Sequence, residues 1–132
     1  MNVGTGPPTA LIVDHDAAFI LWLGEMFVAN GYQSYPALNC RQALALTKKL
    51  ALEIDVLVLN PKLRGAARTM DVLASGHASL RVILIRDPSE SITGVPNLTH
   101  PSLDRPRASE PIVREQWIAQ IRKVLMRAAA RK

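Results

Sequence analysis

The stretch DVLVLNPKL, Asp55–Leu63, decides the fold because its apolar residues run without a break and end in a polar residue. A continuous apolar run of this kind is typical of a strand that a parallel sheet buries on both faces. Open α/β sheets bind their ligands beyond the carboxyl ends of the strands, which is where Asn60 lies. Asn60 is a neutral amide, so this strand end offers neither an acid nor a strong nucleophile.

Apolar strands and capped helices alternate before this stretch. The predicted elements are a strand over Thr9–Asp14, a helix from Asp16 to Asn30, a strand over 32–35 and a helix from Asn39 to about Glu53. Asp16 and Asn39 are good helix caps, and Gly31 is a typical stop. Pro36 is expected to close the second strand.

The pattern continues after the stretch and then changes. A weak helix is predicted over Arg68–Ser75 and a strand over 81–86. Residues 87–111 hold five prolines, which predicts loop, a fragment of helix and one short edge strand near 100–104. Ser109 is the expected cap of a last helix with Pro111 in its first turn. The apolar stripe of that helix is Val113, Trp117, Ile121, Val124, Leu125 and Ala128.

Length and composition support one α/β domain. Strand and helix alternate four times before residue 90, and a chain of 132 residues is large enough to bury its own core. We expect a flexible segment over 1–8 and a single domain over 9–132.

The lone Cys40 cannot form an internal disulfide, which favours the cytoplasm. No apolar run is long enough to span a membrane.

Three segments resemble the receiver domain of two-component response regulators. Residues 10–19 (ALIVDHDAAF) are similar to its opening strand and acidic turn, residues 41–63 to its second helix and third strand, and residues 103–106 (LDRP) to its Lys-Pro pair. The resemblance covers nearly the whole chain. It implies a flavodoxin-like, CheY-like doubly wound parallel sheet with strand order 2-1-3-4-5, in which the fourth helix is degraded.

The resemblance also implies where a phosphorylation site lies. In the family, two acids and a phosphoacceptor Asp hold Mg²⁺, while a Lys, a Ser or Thr and an aromatic residue respond to the phosphoryl group. Asp14 matches the first acid, and the aromatic position falls near Ser102. The other positions have changed: the second acid is His15, the phosphoacceptor is Asn60, the Ser/Thr position is Arg86 and the Lys position is Arg105. Pro106 is the implied cis-proline.

These replacements reverse the charge of the site. One carboxylate and two guanidiniums leave a formal charge of about +1, and Mg²⁺ requires hard anionic oxygens. We therefore expect no metal. No Gly-rich phosphate loop follows the first strand and no Ser-His-Asp arrangement is evident, so we also expect no other cofactor and no enzyme activity. An ion pair from Arg105 or Arg86 to Asp14 is predicted to fill the space of metal and phosphate. One alternative is that both arginines point to solvent and backbone groups cap Asp14. Another is that the positive crevice binds an anion such as phosphate or a nucleotide.

The first helix carries the predicted interaction surface. Ile20 and Phe27, with Leu23, supply a sufficient inward face, so Leu21, Trp22 and Val28 are predicted to form an exposed contact patch. The patch is expected to mediate self-association or docking onto a kinase-like or other signalling protein. The alternative is a rotated helix that buries these side chains.

Besides an enzyme on a flavodoxin-like sheet, which the sequence disfavours, two classes of function remain. The first is a stand-alone, phosphorylation-independent pseudo-receiver without an output domain, which acts by binding proteins. The second is a small nucleic-acid- or anion-binding protein that uses Arg86, Arg105 and the basic last helix, whose final eleven residues hold five basic and no acidic side chains. Aromatic content of 5% and the lack of a recognition motif argue against nucleic acid. No membrane partner is expected.

Overall fold

A computed structural model of the chain describes residues 6–87, 100–106 and 113–130. Within these ranges the strands are β1 (Thr9–Val13), β2 (Gln33–Ala37), β3 (Val56–Leu59), β4 (Arg81–Arg86) and β5 (Ser102–Asp104). The helices in the same ranges are α1 (Ala17–Ala29), α2 (Cys40–Leu50), α3 (Ala66–Gly76) and α4 (Arg114–Ala130).

The strands form one parallel sheet in the order β2-β1-β3-β4-β5. Successive side chains of a strand point to opposite faces, so each central strand supplies two layers of core. Ile12 and Val58 pack with α1 and α4 on one face, while Leu11 and Leu57 pack with α2 and α3 on the other. The prediction of a doubly wound α/β fold with strand order 2-1-3-4-5 is therefore confirmed.

The predicted helix caps are present. The side chain of Asp16 accepts a hydrogen bond from the backbone N–H of Phe19 at 3.1 Å, and that of Asn39 accepts one from Gln42 at 2.8 Å. Gly31 follows α1 with a φ of 90°, a left-handed conformation that glycine adopts without steric cost. Local sequence thus fixes where the first two helices begin.

Strand β2 differs from the prediction because it runs through Pro36 instead of ending before it. Gln33 donates to Pro8 and Ala37 accepts from Asp14, so the odd-numbered residues of β2 face β1. Pro36 therefore turns its nitrogen to the open edge of the sheet, where the missing N–H breaks no ladder hydrogen bond.

Helix bounds also differ in places. Helix α2 ends at Leu50 instead of Glu53, because Ala51 adopts a left-handed conformation with φ of 50° and its N–H bonds to the carbonyl of Lys48. Leu50, the last residue of α2, is 47% exposed. Helix α3 begins at Ala66, earlier than predicted.

The proline-rich segment is described only in part. Strand β5 lies within the predicted range 100–104, which confirms the short edge strand. The predicted helix fragment, the Ser109 cap and Pro111 lie outside the described residues. Val113 precedes α4 and is exposed, so it does not join the apolar stripe. Within the described ranges, no helix combines the length and apolar character that crossing a membrane requires.

Candidate functional site

Asp14 and Arg105 meet at the carboxyl edge of the sheet. Asp14 directly follows β1 and is fully buried, and Arg105 directly follows β5 with 18% of its side chain exposed. Arg105 donates through Nη1 to Oδ2 of Asp14 at 2.9 Å and through Nη2 to Oδ1. The predicted ion pair is thus present, and Arg105 makes it in the bidentate geometry that a lysine could not provide.

Asn60 completes the contact from the end of β3. Its Nδ2 donates to Oδ1 of Asp14 at 2.8 Å, and its Oδ1 accepts from the backbone N–H of Lys62 at 2.9 Å. An aspartate at position 60 would face the Asp14 carboxylate with a second negative charge and no donor. The neutral amide is therefore matched to both of its neighbours.

The carboxylate of Asp14 has no acceptor capacity left. Oδ1 receives Arg105 and Asn60, and Oδ2 receives Arg105 and the backbone N–H of Asp16 at 3.1 Å. An ionised carboxylate has about four lone-pair positions, and four donors occupy them. The residues present do not fit Mg²⁺, which would have to displace a guanidinium to reach the carboxylate. Within the described ranges no cluster of three or more His, Cys, Asp or Glu side chains could hold a metal.

The surroundings of Asp14 act on its pKa in opposite directions. Burial disfavours the charged form and raises the pKa of Asp14. The hydrogen bonds from Arg105, Asn60 and the Asp16 backbone, with the positive charge of Arg105, outweigh burial and hold the pKa of Asp14 below its ordinary value. Asp14 is therefore a stably ionised carboxylate.

The ring of Phe19 packs against the guanidinium group of Arg105. Its ring centroid lies 5.0 Å from the guanidinium carbon of Arg105, which is within the range of a cation–π contact. The Asp16 cap holds the backbone of Phe19 at the start of α1, so the helix start also positions the ring. Arg105 thus has an aromatic partner, Phe19, that sequence reasoning did not identify.

Arg86 binds a different acid from the one considered in the prediction. Its Nε and Nη2 donate to Asp104 at 2.8 and 3.1 Å, and the two residues are direct partners across β4 and β5. A cleft of about 230 Å³ beside the Asp14 pair includes Lys62, Asp87 and Arg105 in its wall. Each predicted anion-binding arginine thus faces a carboxylate.

The remaining predicted site residues lie at the rim. His15 is 70% exposed, and its Nδ1 is 3.7 Å from Oδ1 of Asp14, beyond hydrogen-bond distance. Ser102, which falls near the aromatic position of the family, begins β5. The peptide bond before Pro106 is trans, a correction to the cis form that the resemblance implies. X–Pro bonds favour trans by about 0.5–1 kcal/mol unless tertiary contacts select the other isomer.

The structure separates the three residues of the predicted contact patch. Leu21 and Val28 are 60% and 57% exposed and lie one heptad apart on the outer side of α1. Trp22 is only partly exposed, and its ring packs edge-on against Trp117 of α4 at a centroid distance of 4.8 Å. The expectation of an exposed tryptophan is therefore wrong, because α4 covers that side of α1.

The exposed side of α1 continues into a groove. Ala17 and Leu21 form one wall, and Pro36 and Leu38 of the β2–α2 connection form the other, enclosing about 260 Å³. Leu38 is itself 40% exposed. Together with Val28, these side chains define an apolar surface that we call the α1 surface. Sequence reasoning missed Pro36 and Leu38 because they come from a different segment.

The structure is similar to solved response regulators along nearly its whole length. NtrX from Brucella abortus in complex with ADP superposes with a TM-score of 0.68 at 17% identity, covering 92% of this chain and 27% of that chain. A CheY-like receiver domain protein from Methanospirillum hungatei JF-1 gives 0.66 at 14% identity, covering 96% and 100%. A response regulator from Thermotoga maritima gives 0.65 at 12% identity, covering 91% and 98%.

Searches with the sequence against family models and curated proteins give no match. The chain spans about a quarter of NtrX but nearly all of the two smaller regulators. The resemblance predicted from the motifs is confirmed at the level of the fold: the chain has the CheY-like fold of response-regulator receiver domains.

Proposed function

We propose that this chain is a receiver-like signalling module that acts through protein–protein contacts and without phosphorylation. The observation that carries the proposal is the Asp14 carboxylate, whose lone pairs are filled by Arg105, Asn60 and the Asp16 N–H. An internal ion pair takes the place that a receiver domain keeps for metal and phosphate. The crevice then has a single state, whereas that of a receiver domain alternates between an unphosphorylated and a phosphorylated state.

The chemistry of position 60 supports the same proposal. An amide is too weak a nucleophile to form an acyl phosphate. Deamidation to aspartate ordinarily requires the next backbone nitrogen to attack the side chain, and Pro61 has no N–H for that route. Asn60 therefore stays an amide, and its hydrogen bond to Asp14 persists.

The α1 surface is the proposed contact site. Leu21, Val28 and Leu38 expose apolar area beside a groove, which is the kind of feature that protein interfaces cover. The occupant is an apolar helix of a kinase-like or other signalling protein, or a second copy of this chain. The lone cysteine of this chain, Cys40, is buried and forms no disulfide, which is consistent with a cytoplasmic module.

Loss of phosphorylation is tested by incubating the chain with acetyl phosphate and Mg²⁺ and measuring its intact mass. We expect no gain of a phosphoryl group, with a receiver domain that retains its aspartate as the positive control. A stable gain of one phosphoryl group that disappears in the Asn60→Ala variant would contradict the proposal.

The contact site is tested with Leu21→Ser against Leu50→Ser, which removes an exposed leucine from α2. Light scattering over a concentration series measures self-association, and quantitative capture from native lysate measures other partners. We expect only Leu21→Ser to lose the associated species. Equal behaviour of both variants, or a monomeric wild type that captures nothing above the background, would remove the α1 surface as an interface.

A further inference from the structure

A second surface, on α4, has a different character from the α1 surface. Ile121, Val124, Leu125 and Ala128 are buried against the sheet and α1. Helical geometry then turns the positions between them outwards, where Arg122, Lys123, Met126 and Arg127 are all exposed. Their spacing of i, i+1, i+4 and i+5 places them side by side, and we call these four residues the α4 surface.

Among the described residues, no ion pair neutralises the positive charge of the α4 surface. Arg122 donates from Nε to the neutral amide oxygen of Asn30 at 3.3 Å, which orients the guanidinium without neutralising it. Within the part of the chain that the structure describes, neither Lys123 nor Arg127 forms a salt bridge. The acidic residue of α4 in its first turn, Glu115, lies two turns before Arg122.

Met126 lies at the centre of this charge and is 67% exposed, the highest fraction among the exposed large hydrophobic residues described. Methionine is flexible and polarisable, so it adapts to the apolar surface of a protein partner. Methionine and arginine are both enriched in protein interfaces. A phosphate backbone would engage the basic side chains but would leave the methionine without a partner, which favours a protein as the occupant.

We propose that the α4 surface binds an acidic amphipathic helix of a partner protein. Carboxylates of that helix, one turn apart, would contact Arg122, Lys123 and Arg127, and an apolar side chain between them would cover Met126. The proposal does not depend on the function proposed above, because it uses neither the crevice nor the α1 surface. The two surfaces would allow one domain to hold two partners.

The test uses a labelled helical peptide of about 20 residues that places Glu beside Leu on one face, and its matched Gln analogue. Fluorescence anisotropy against the full chain is expected to show saturable binding of the Glu peptide. The Gln analogue should bind at least about tenfold more weakly, and binding should weaken with added salt because charged contacts are screened. No binding of the Glu peptide, or equal binding of both peptides, would overturn the proposal.

Two variants of equal net charge separate the surface from the overall charge of +5. Arg122→Glu/Lys123→Glu/Arg127→Glu should abolish binding, whereas Arg41→Glu/Lys48→Glu/Lys49→Glu, which changes exposed residues of α2, should leave it within about twofold. Circular dichroism of both variants checks the fold. Loss in both variants, or in neither, would contradict a local site.

Met126→Ser distinguishes a protein helix from a polyanion. We expect it to weaken the Glu peptide several-fold and to leave the salt dependence unchanged. Duplex DNA and phosphatidylserine vesicles serve as competing probes. Tighter binding of either probe than of the peptide, or no effect of Met126→Ser, would overturn the proposal in favour of a general anionic surface.

Discussion

Asp14 and Leu21 are seven residues apart in the chain, yet Asp14 is a fully buried charge and Leu21 is an apolar side chain that is 60% exposed. The buried charge has four donors within the domain. The exposed leucine lies beside a groove that no part of the described chain fills. Residues of the domain itself therefore satisfy the buried charge, whereas the apolar side chains of the α1 surface stay exposed.

This difference indicates where to look for function in a receiver-like domain. Under the proposed function, Arg105 and Asn60 bind Asp14 in the crevice where a receiver domain holds metal and phosphate. An interior ion pair of this kind offsets the cost of desolvating its own charges and leaves little to exchange with solvent. Binding is then expected on the helices, where apolar and basic side chains such as Leu21 and Lys123 are exposed.

The largest effect is expected from Arg105→Ala, which leaves Asp14 buried without its main partner. An uncompensated buried charge costs about 3–5 kcal/mol of unfolding free energy. Urea unfolding measures the loss. The double variant Asp14→Asn/Arg105→Ala should lose less than Arg105→Ala alone, because no buried charge remains. A change below about 0.5 kcal/mol in Arg105→Ala would show that the crevice is not held by this pair.

The next largest loss of stability is expected at Trp22, and its neighbour Leu21 serves as the comparison. Trp22→Ala removes a half-buried ring and its edge-on contact with Trp117, which is expected to cost about 2–3 kcal/mol. Leu21→Ala removes an exposed side chain and should change stability by less than about 0.5 kcal/mol. Thermal unfolding distinguishes the two variants. Equal losses in the two variants would contradict the burial of Trp22 and the exposure of Leu21.

Arg86→Ala is expected to have a smaller effect than Arg105→Ala, although both arginines form bidentate pairs. The side chains of Arg86 and Asp104 are 33% and 41% exposed, so water screens their attraction. Exposed ion pairs contribute about 0–1 kcal/mol. The comparison is made by urea unfolding at low and high salt, and a loss as large as that of Arg105→Ala would contradict it.

The smallest effect is a difference in pH dependence. The folded-state pKa of Asp14 lies below its ordinary value of 3.8, so its charged form stabilises the fold above that pH. This stabilisation is lost as the pH falls through the folded-state pKa. Below pH 3.8, Asp14→Asn should therefore lose stability less steeply than wild type, as measured by unfolding at successive pH values. Parallel curves would exclude Asp14 as a contributor.

Sequence reasoning predicted the centre of the site because the family order of strands brings Asp14, Asn60 and Arg105 to one edge. The choice between Arg105 and Arg86 required strand register. Arg86 is the direct partner of Asp104 across β4 and β5, and that pairing satisfies it locally. Arg86 and Asp104 are each the last residue of their strand, so a parallel pairing of β4 and β5 places the two side chains side by side.

The error at Trp22 has a different cause. Periodicity within α1 identifies the inward face but does not reveal a neighbouring helix on a second side. Trp117 belongs to α4, which packs beside α1, and the two rings meet across that contact. The one sequence feature that indicated a partner for Trp22 was a second tryptophan, Trp117, on the predicted apolar stripe of the last helix. Contacts between elements far apart in sequence cannot be derived from the pattern of either element alone.

Pro36 has a consequence for how copies of this chain can meet. An outer strand with free N–H and C=O groups is a template on which another chain can add a strand, and such additions lead to aggregation. The nitrogen of Pro36 faces that outer side of β2 and has no hydrogen to offer. Pro36 thereby interrupts the row of backbone donors on the outer side of β2, which disfavours the addition of a strand from another copy of this chain.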